Sequence, residues 1–127
     1  LKKYLCDRLF RLALICLLPA TVQSQSVSNG QKIVEKNCLR CHELEFSADA
    51  PALRGVVGRK AGKLEGYFFS EALEQATHTW DVSHLKVWLS NPQNLIPGVE
   101  MDFHLEGAQD IDDVIAYLST LTMLPAK

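Results

Sequence analysis

An all-α domain with a large share of loop is what this sequence predicts, and three observations carry that reading. Apolar residues recur at helical spacing near both ends, as in Ile33-Val34 and in the series Ile111, Val114, Ile115 and Leu118. No two segments alternate in the way that paired strands require. Between the ends, "SADAPALRGVVGRKAGKLEG" (47–66) is rich in Gly, Ala and Pro, the composition of turns. With 127 residues, 47% of them hydrophobic, the chain has room for one domain and not two.

The first 24 residues are read as separate from that domain. Lys2, Lys3, Arg8 and Arg11 precede an apolar run from Leu12 to Leu18, Pro19 breaks it, and Val22 and Ser24 supply small residues before a cut after Ser24. That is the layout of a cleaved secretory signal peptide, leaving 25–127 as the exported domain. A retained membrane anchor is the alternative, but a spanning helix needs about 20 apolar residues, roughly twice this run. A lipid-modified Cys16 is disfavoured by the bulk of Ile15 before it. Cleavage removes Cys6 and Cys16, so only Cys38 and Cys41 remain. It also removes four of the 13 basic residues and one of the 15 acidic ones, leaving nine against fourteen and a charge of about −5. Such a domain has no electrostatic attraction for nucleic acid or an anionic membrane.

Taken in order, the elements read as follows. Ser28 is an N-cap candidate for a first helix that presents Gly30, Ile33, Val34 and Asn37 on one side and ends near Cys38 to Cys41. A short helix fits Ser70 to Ala76. "WDVSHLKVWLSNP" reads as a helix capped by Asp81 or Ser83, with Leu85, Trp88 and Leu89 inward and a stop at Asn91-Pro92. "NLIPGVEMDF" reads as loop. The last helix spans about 109 to 121, with Asp110, Asp112 and Asp113 near its positive N-terminus. So few helices around so much loop leave a core to be filled, and a rigid apolar group of several hundred Å², more than two large aromatic side chains supply, would fill it.

Cys38-Leu39-Arg40-Cys41-His42 bears on what that group is. A structural zinc site needs four ligands, and there is no second Cys pair, nor finger-like spacing among His78, His84 and His104. A redox dithiol wants a strand before the motif, where a helix is predicted here; an isolated Cys-x-x-Cys would still leave it open. The His directly after the second Cys is specific to c-type haem attachment, in which each thiol adds to a vinyl group and the imidazole lies under the iron.

From Gly30 onward the chain resembles the class I cytochromes c, of the mitochondrial and bacterial c2 type. The resemblance is carried by "CLRCH", by "PALRGVVGRKAG" (51–62), by Trp80, "WLSNP" (88–92), "LIPGVEM" (95–101) and "IAYL" (115–118). It implies the class I cytochrome c fold, helices and long loops wrapped around one covalently bound haem c and its iron. It implies Cys38 and Cys41 as thioether cysteines, His42 as proximal ligand and Pro51 as acceptor of the His N–H. Met101 matches the distal ligand. A lone Met is more often core filler, but the Pro97-Gly98 loop before it reverses that reading; Met123 and His104 are its rivals, and His78 and His84 read as surface or lightly packed. Arg59 and Trp80 match residues that hold the inner haem propionate, and Gly30 the small residue that lets the first helix cross the last against Val114 and Tyr117.

Some positions depart from the family. Phe69 stands for a tyrosine that reaches a propionate, Leu73 for an asparagine of the internal water network, and Trp88 for a tyrosine near the methionine sulfur. The segment from His42 to Pro51 is short. A drier pocket in the same fold is the expectation.

The function implied is that of an exported, periplasmic electron carrier, not an enzyme. Its His/Met-ligated haem passes single electrons between a respiratory or photosynthetic donor and an oxidase or reaction centre, with no small-molecule substrate and a membrane met only through partner complexes. The alternatives are a fixed haem subunit of a larger dehydrogenase or oxidase, or a haem protein with an open sixth position and peroxidase or gas-binding activity. The family's basic ring is replaced at Asn37, Gln93, Asn94 and Glu100, followed by Asp102, Glu106 and Asp110. The donor and acceptor proteins are therefore expected to present a docking face that is not acidic.

Overall fold

Ser26 starts the first helix of the computed structural model, which describes residues 25–123. It is Ser26, not Ser28, that caps α1 (Val27–Ile33): its extended backbone lets Oγ accept from the Asn29 N–H at 3.1 Å. Ser28 lies inside the helix. The chain winds on through a π-helical turn, Val34–Cys38, in which the Leu39 N–H reaches the Val34 carbonyl at 3.0 Å. Four further helices follow: α2 (Glu71–Glu74), α3 (Val82–Ser90), α4 (Pro92–Leu95) and α5 (Ala108–Thr120). Among the described residues there is no strand, only an isolated antiparallel bridge between Lys60 and Thr79. None of the described helices is long and apolar enough to cross a membrane. The signal-peptide reading falls on 1–24, outside the described residues.

Capping chemistry explains the helix starts. Asp81 caps α3 through the His84 N–H at 2.9 Å, and Ser83 donates its hydroxyl to the same carboxylate oxygen at 2.6 Å. These bonds hold Asp81 well below the usual carboxylate range. α4 falls within what reads as loop: Asn91 caps it through the Gln93 N–H at 3.0 Å, and Pro92 occupies the first turn, where its missing N–H costs nothing. α2 has no side-chain cap, although Ser70 stands at the capping position.

α1 and α5 cross at Gly30. A Cβ there would lie 1.9 Å from the Asp113 carbonyl oxygen and 3.0 Å from the Tyr117 Cβ, so the contact is backbone against backbone, with Asp113 rather than Val114 nearest. Asp113 is more than a helix-dipole acid. Only 2% exposed, it accepts from the Ser26 N–H, the Asn29 Nδ2 and the Gln109 Nε2, each at 2.7 Å, and so ties the start of α1 to α5. The Ser26 and Asn29 bonds hold its carboxyl below the ordinary 3.8 against the opposing effect of burial, with Gln109 adding to them. Ile111, Val114, Ile115 and Leu118 of α5 pack with Leu85, Trp88 and Leu89 of α3 in one core.

Two outcomes follow. Gly30→Ala must push the helices apart, costing more than about 2 kcal/mol and lowering Tm by roughly 10 °C or more; a parental Tm by circular dichroism would refute the tight crossing. The stabilisation from Asp113 is complete above pH 3.8 and lost as pH falls through its lower folded value, so Asp113→Asn should be less stable near neutrality and lose part of the acid dependence of stability.

Candidate functional site

The π-helical turn delivers the first sulfur. Past Cys38 the chain curls so that the Cys38 carbonyl accepts from the N–H groups of both Cys41 (3.2 Å) and His42 (2.9 Å), gathering two thiols and an imidazole within one turn. Both cysteines are free; Cys38 is partly buried, which pushes its thiol up to about 11, and Cys41 is exposed. His42 donates from Nδ1 to the Pro51 carbonyl at 2.7 Å, which fixes the tautomer and leaves the Nε2 lone pair for a metal. Burial lowers the His42 pKa, the Pro51 bond works against that, and the Arg59 charge adds to the lowering, which favours the neutral imidazole.

These three residues open on a cavity of about 470 Å³. Its walls include Leu53, Val56, Leu73, Leu85, Trp88, Leu89, Val114 and Leu118, together with Pro51, Arg59, Trp80 and Met101. Met101 is thus brought to the same cavity as His42. His104 is not: it sits outside, half-exposed, with Nε2 3.3 Å from the Glu106 carboxylate. Met123 lies elsewhere too, 65% exposed and against Gly55.

The polar groups of the wall suit an anionic, otherwise apolar guest. The Arg59 guanidinium is half-buried and bonds the Ala52 carbonyl at 2.8 Å and the Arg54 carbonyl at 3.3 Å; burial lowers its pKa. Among the described residues no carboxylate pairs with it, so a buried cation awaits an anion. Trp80 is clamped beside it, its N–H donating to the Arg59 carbonyl at 2.9 Å and its carbonyl accepting from the Gly58 N–H at 2.9 Å. Ser70, which the sequence places only at the start of a short helix, has a buried Oγ with no protein partner and stands in the cavity wall. A serine before a short helix gives no hint of this, because capping and facing a cavity call for the same residue. Haem propionates fit this set, and a porphyrin fits the apolar remainder.

Phe69, Leu73 and Trp88, the positions that depart from the family, all line the cavity. Trp88 meets Trp80 edge-on with ring centroids 4.9 Å apart, and Trp80 meets His78 edge-on at 4.7 Å. His78 in turn stacks on His84 at 4.6 Å with planes 15° apart, so these half-exposed histidines form a pair. The His78 Nε2 is buried without a protein partner. Burial and the neighbouring His84 lower the His78 pKa, and Asp81 opposes them. Gly62, at φ 64°, allows the 59–62 loop to touch the Leu73 carbonyl, which a Cβ would approach to 2.1 Å.

Comparison with known proteins places this geometry. The sequence pattern of the family described as Cytochrome c matches residues 27–122. Cytochrome c of Tetrahymena pyriformis is 40% identical over 103 residues, which cover 80% of this chain and 94% of that protein. Cytochrome c2 of Rhodoblastus acidophilus is 39% identical over 94 residues, covering 71% of this chain and 87% of its own length. Among solved structures, cytochrome cH from Methylobacterium extorquens superposes with a TM-score of 0.71 at 40% identity, over 75% of this chain and 98% of that one.

Proposed function

The chain belongs to the cytochrome c family and is a monohaem electron carrier, and we propose that it works with His42 and Met101 as the two axial ligands of its iron. The observation that carries this reading is the cavity that holds both side chains, with the His42 Nδ1 committed to Pro51. Covalent haem c supplies reversible one-electron chemistry at iron. The residues of the chain do the rest. Cys38 and Cys41 would hold the group through thioethers, His42 would bind it through Nε2, and Met101, in the wall of the same cavity, would bind through its sulfur. Arg59, Trp80 and Ser70 satisfy the propionates. The aliphatic and Trp88 surfaces exclude water, so that little has to reorganise when charge changes. With His42 and Met101 both engaged, the group would have no open site for a substrate and would serve electron transfer alone. Export to the periplasm by the 1–24 segment suits a carrier that meets membrane complexes from outside.

Two measurements test this. Acid–acetone should leave the haem on the wild-type polypeptide, and changing both Cys38 and Cys41 to Ala should release it or abolish maturation. Ferric protein should show the weak near-infrared sulfur-to-iron band, and Met101→Ala should abolish it and lower the potential by on the order of 0.1–0.3 V, part of the ~0.8 V that axial ligands command. A band missing from the wild type, with a spectrum altered by His104→Ala, would transfer the ligand role to His104.

The partner is proposed to be a redox protein whose docking face is basic or apolar. Glu100 and Asp102 are exposed and line the cavity mouth, Phe103 is exposed beside them, and Glu106 and Asp110 continue the acidic face. Complementary charge chiefly raises association rate, and salt screens it over about 8 Å. Stopped-flow oxidation by an acidic-faced, mitochondrial-type oxidase should be slow and should not speed up as salt is lowered. Exchange of Glu100, Asp102 and Glu106 for Lys should accelerate it at low salt, by roughly tenfold or more. Fast wild-type oxidation that slows with rising salt would overturn this assignment.

A further inference from the structure

The segment that carries Met101 is almost without hydrogen bonds of its own. Among the described residues, no backbone N–H from Pro97 to His104 donates to a backbone carbonyl; the ladder resumes only where the Leu105 N–H meets the Leu89 carbonyl at 2.8 Å. Pro97 has no N–H, and Gly98 turns the chain with φ at 88°. What brackets the segment is one side chain. The Gln93 Oε1 accepts from the Gly98 N–H at 2.9 Å, and its Nε2 donates to the Val99 carbonyl at 2.8 Å. Gln93 is itself fixed: Asn91 caps its N–H at 3.0 Å, and Pro92 before it is buried. Sequence comparison with lysine-ringed relatives treats Gln93 as a vacated docking position, yet both ends of its amide are engaged inward on the loop.

We infer that Gln93 is the positioning residue for the sixth ligand: its amide clamps Gly98 and Val99 and so holds Met101 against the iron. The inference rests on Met101 being that ligand. The alternative anchors are apolar, since Ile96 and Val99 are buried in the core, and they restrain the loop sideways without fixing the peptide planes on either side of Gly98. An amide serves here and a carboxylate or ammonium does not, because the clamp needs one acceptor and one donor on the same plane. Loss of the clamp frees the loop to open locally while the rest of the fold stays closed.

Cyanide capture by the ferric holoprotein reads that opening directly, because cyanide binds iron only when the methionine has left. Gln93→Leu should raise the second-order capture rate by about thirtyfold, the size of two lost hydrogen bonds of ordinary strength. The near-infrared band should vanish at lower temperature, and the Gly98 amide should exchange faster, with global unfolding shifted by only a few degrees. Gln93→Glu keeps an acceptor for Gly98 and loses the donor to Val99, so it should fall between Leu and wild type. Gln31→Leu, the same change on the exposed face of α1, should leave capture unchanged. A Gln93→Leu rate within about twofold of wild type, or one matched by Gln31→Leu, sinks the proposal; the twofold limit is well under one ordinary hydrogen bond. A wild-type protein with no near-infrared band would instead sink the Met101 reading, so the two failures are distinguishable.

Discussion

A cavity of about 470 Å³ that the chain walls but does not fill is the constraint on which the rest of the structure depends. Two long helices, α3 and α5, supply one side of it, and loop supplies most of the other. Loop is a poor wall by itself, since its backbone groups must each find a partner. Here the 52–62 segment is pinned from within by the Arg59 guanidinium on two carbonyls and from outside by the Trp80 backbone. The half-buried cation that organises the loop has no carboxylate partner among the described residues, so the same residue shapes the wall and creates the demand for an acidic guest. Apolar filling and charge compensation are thus met together by one group bearing both porphyrin surface and propionates.

Much of this was legible in the chain because it is local or periodic. The α5 face, the α3 cap at Asp81 and the cluster from Cys38 to His42 depend on spacing within a few residues. The errors have a common cause, which is competition settled by distant contacts. Ser26 and Ser28 are equivalent caps by residue type, and Asp113, reaching back from α5 to Ser26 and Asn29, selects the first. The role of Asp113 itself is invisible locally, because an acid near a helix N-terminus is already explained by the dipole. α4 was hidden by its Asn-Pro, which ends one helix and begins another with equal chemical logic. The His78–His84 stack joins residues on either side of the α3 start, and neither alone shows a helical or strand period.

Covalent attachment and axial ligation are supported on different scales. The His42 side is held within a few residues: Cys38 carbonyl to Cys41 and His42, and His42 to Pro51 nine residues on. Such contacts cost little loop-closure entropy and close early. The Met101 side is reached only after α3 and α4 are in place, through Gln93 and through the buried Ile96 and Val99. Met101 thus sits on a segment without a backbone ladder of its own, and under the proposed ligation it is the ligand that a local loosening would release.

That asymmetry has a chemical use in a carrier. Fixing both sides equally would require backbone hydrogen bonds on the Met101 loop, which would draw its N–H groups toward neighbouring carbonyls. Holding the loop through the Gln93 side chain instead leaves it without a backbone ladder, and Glu100 and Asp102 stand exposed along it. The clamp and the apolar contacts both resist opening, each ordinary in strength, so losing either makes opening easier. Retention of Met101 in the cavity wall therefore comes from geometry shared among weak contacts, whereas the Cys38–His42 turn is held by bonds within a few residues.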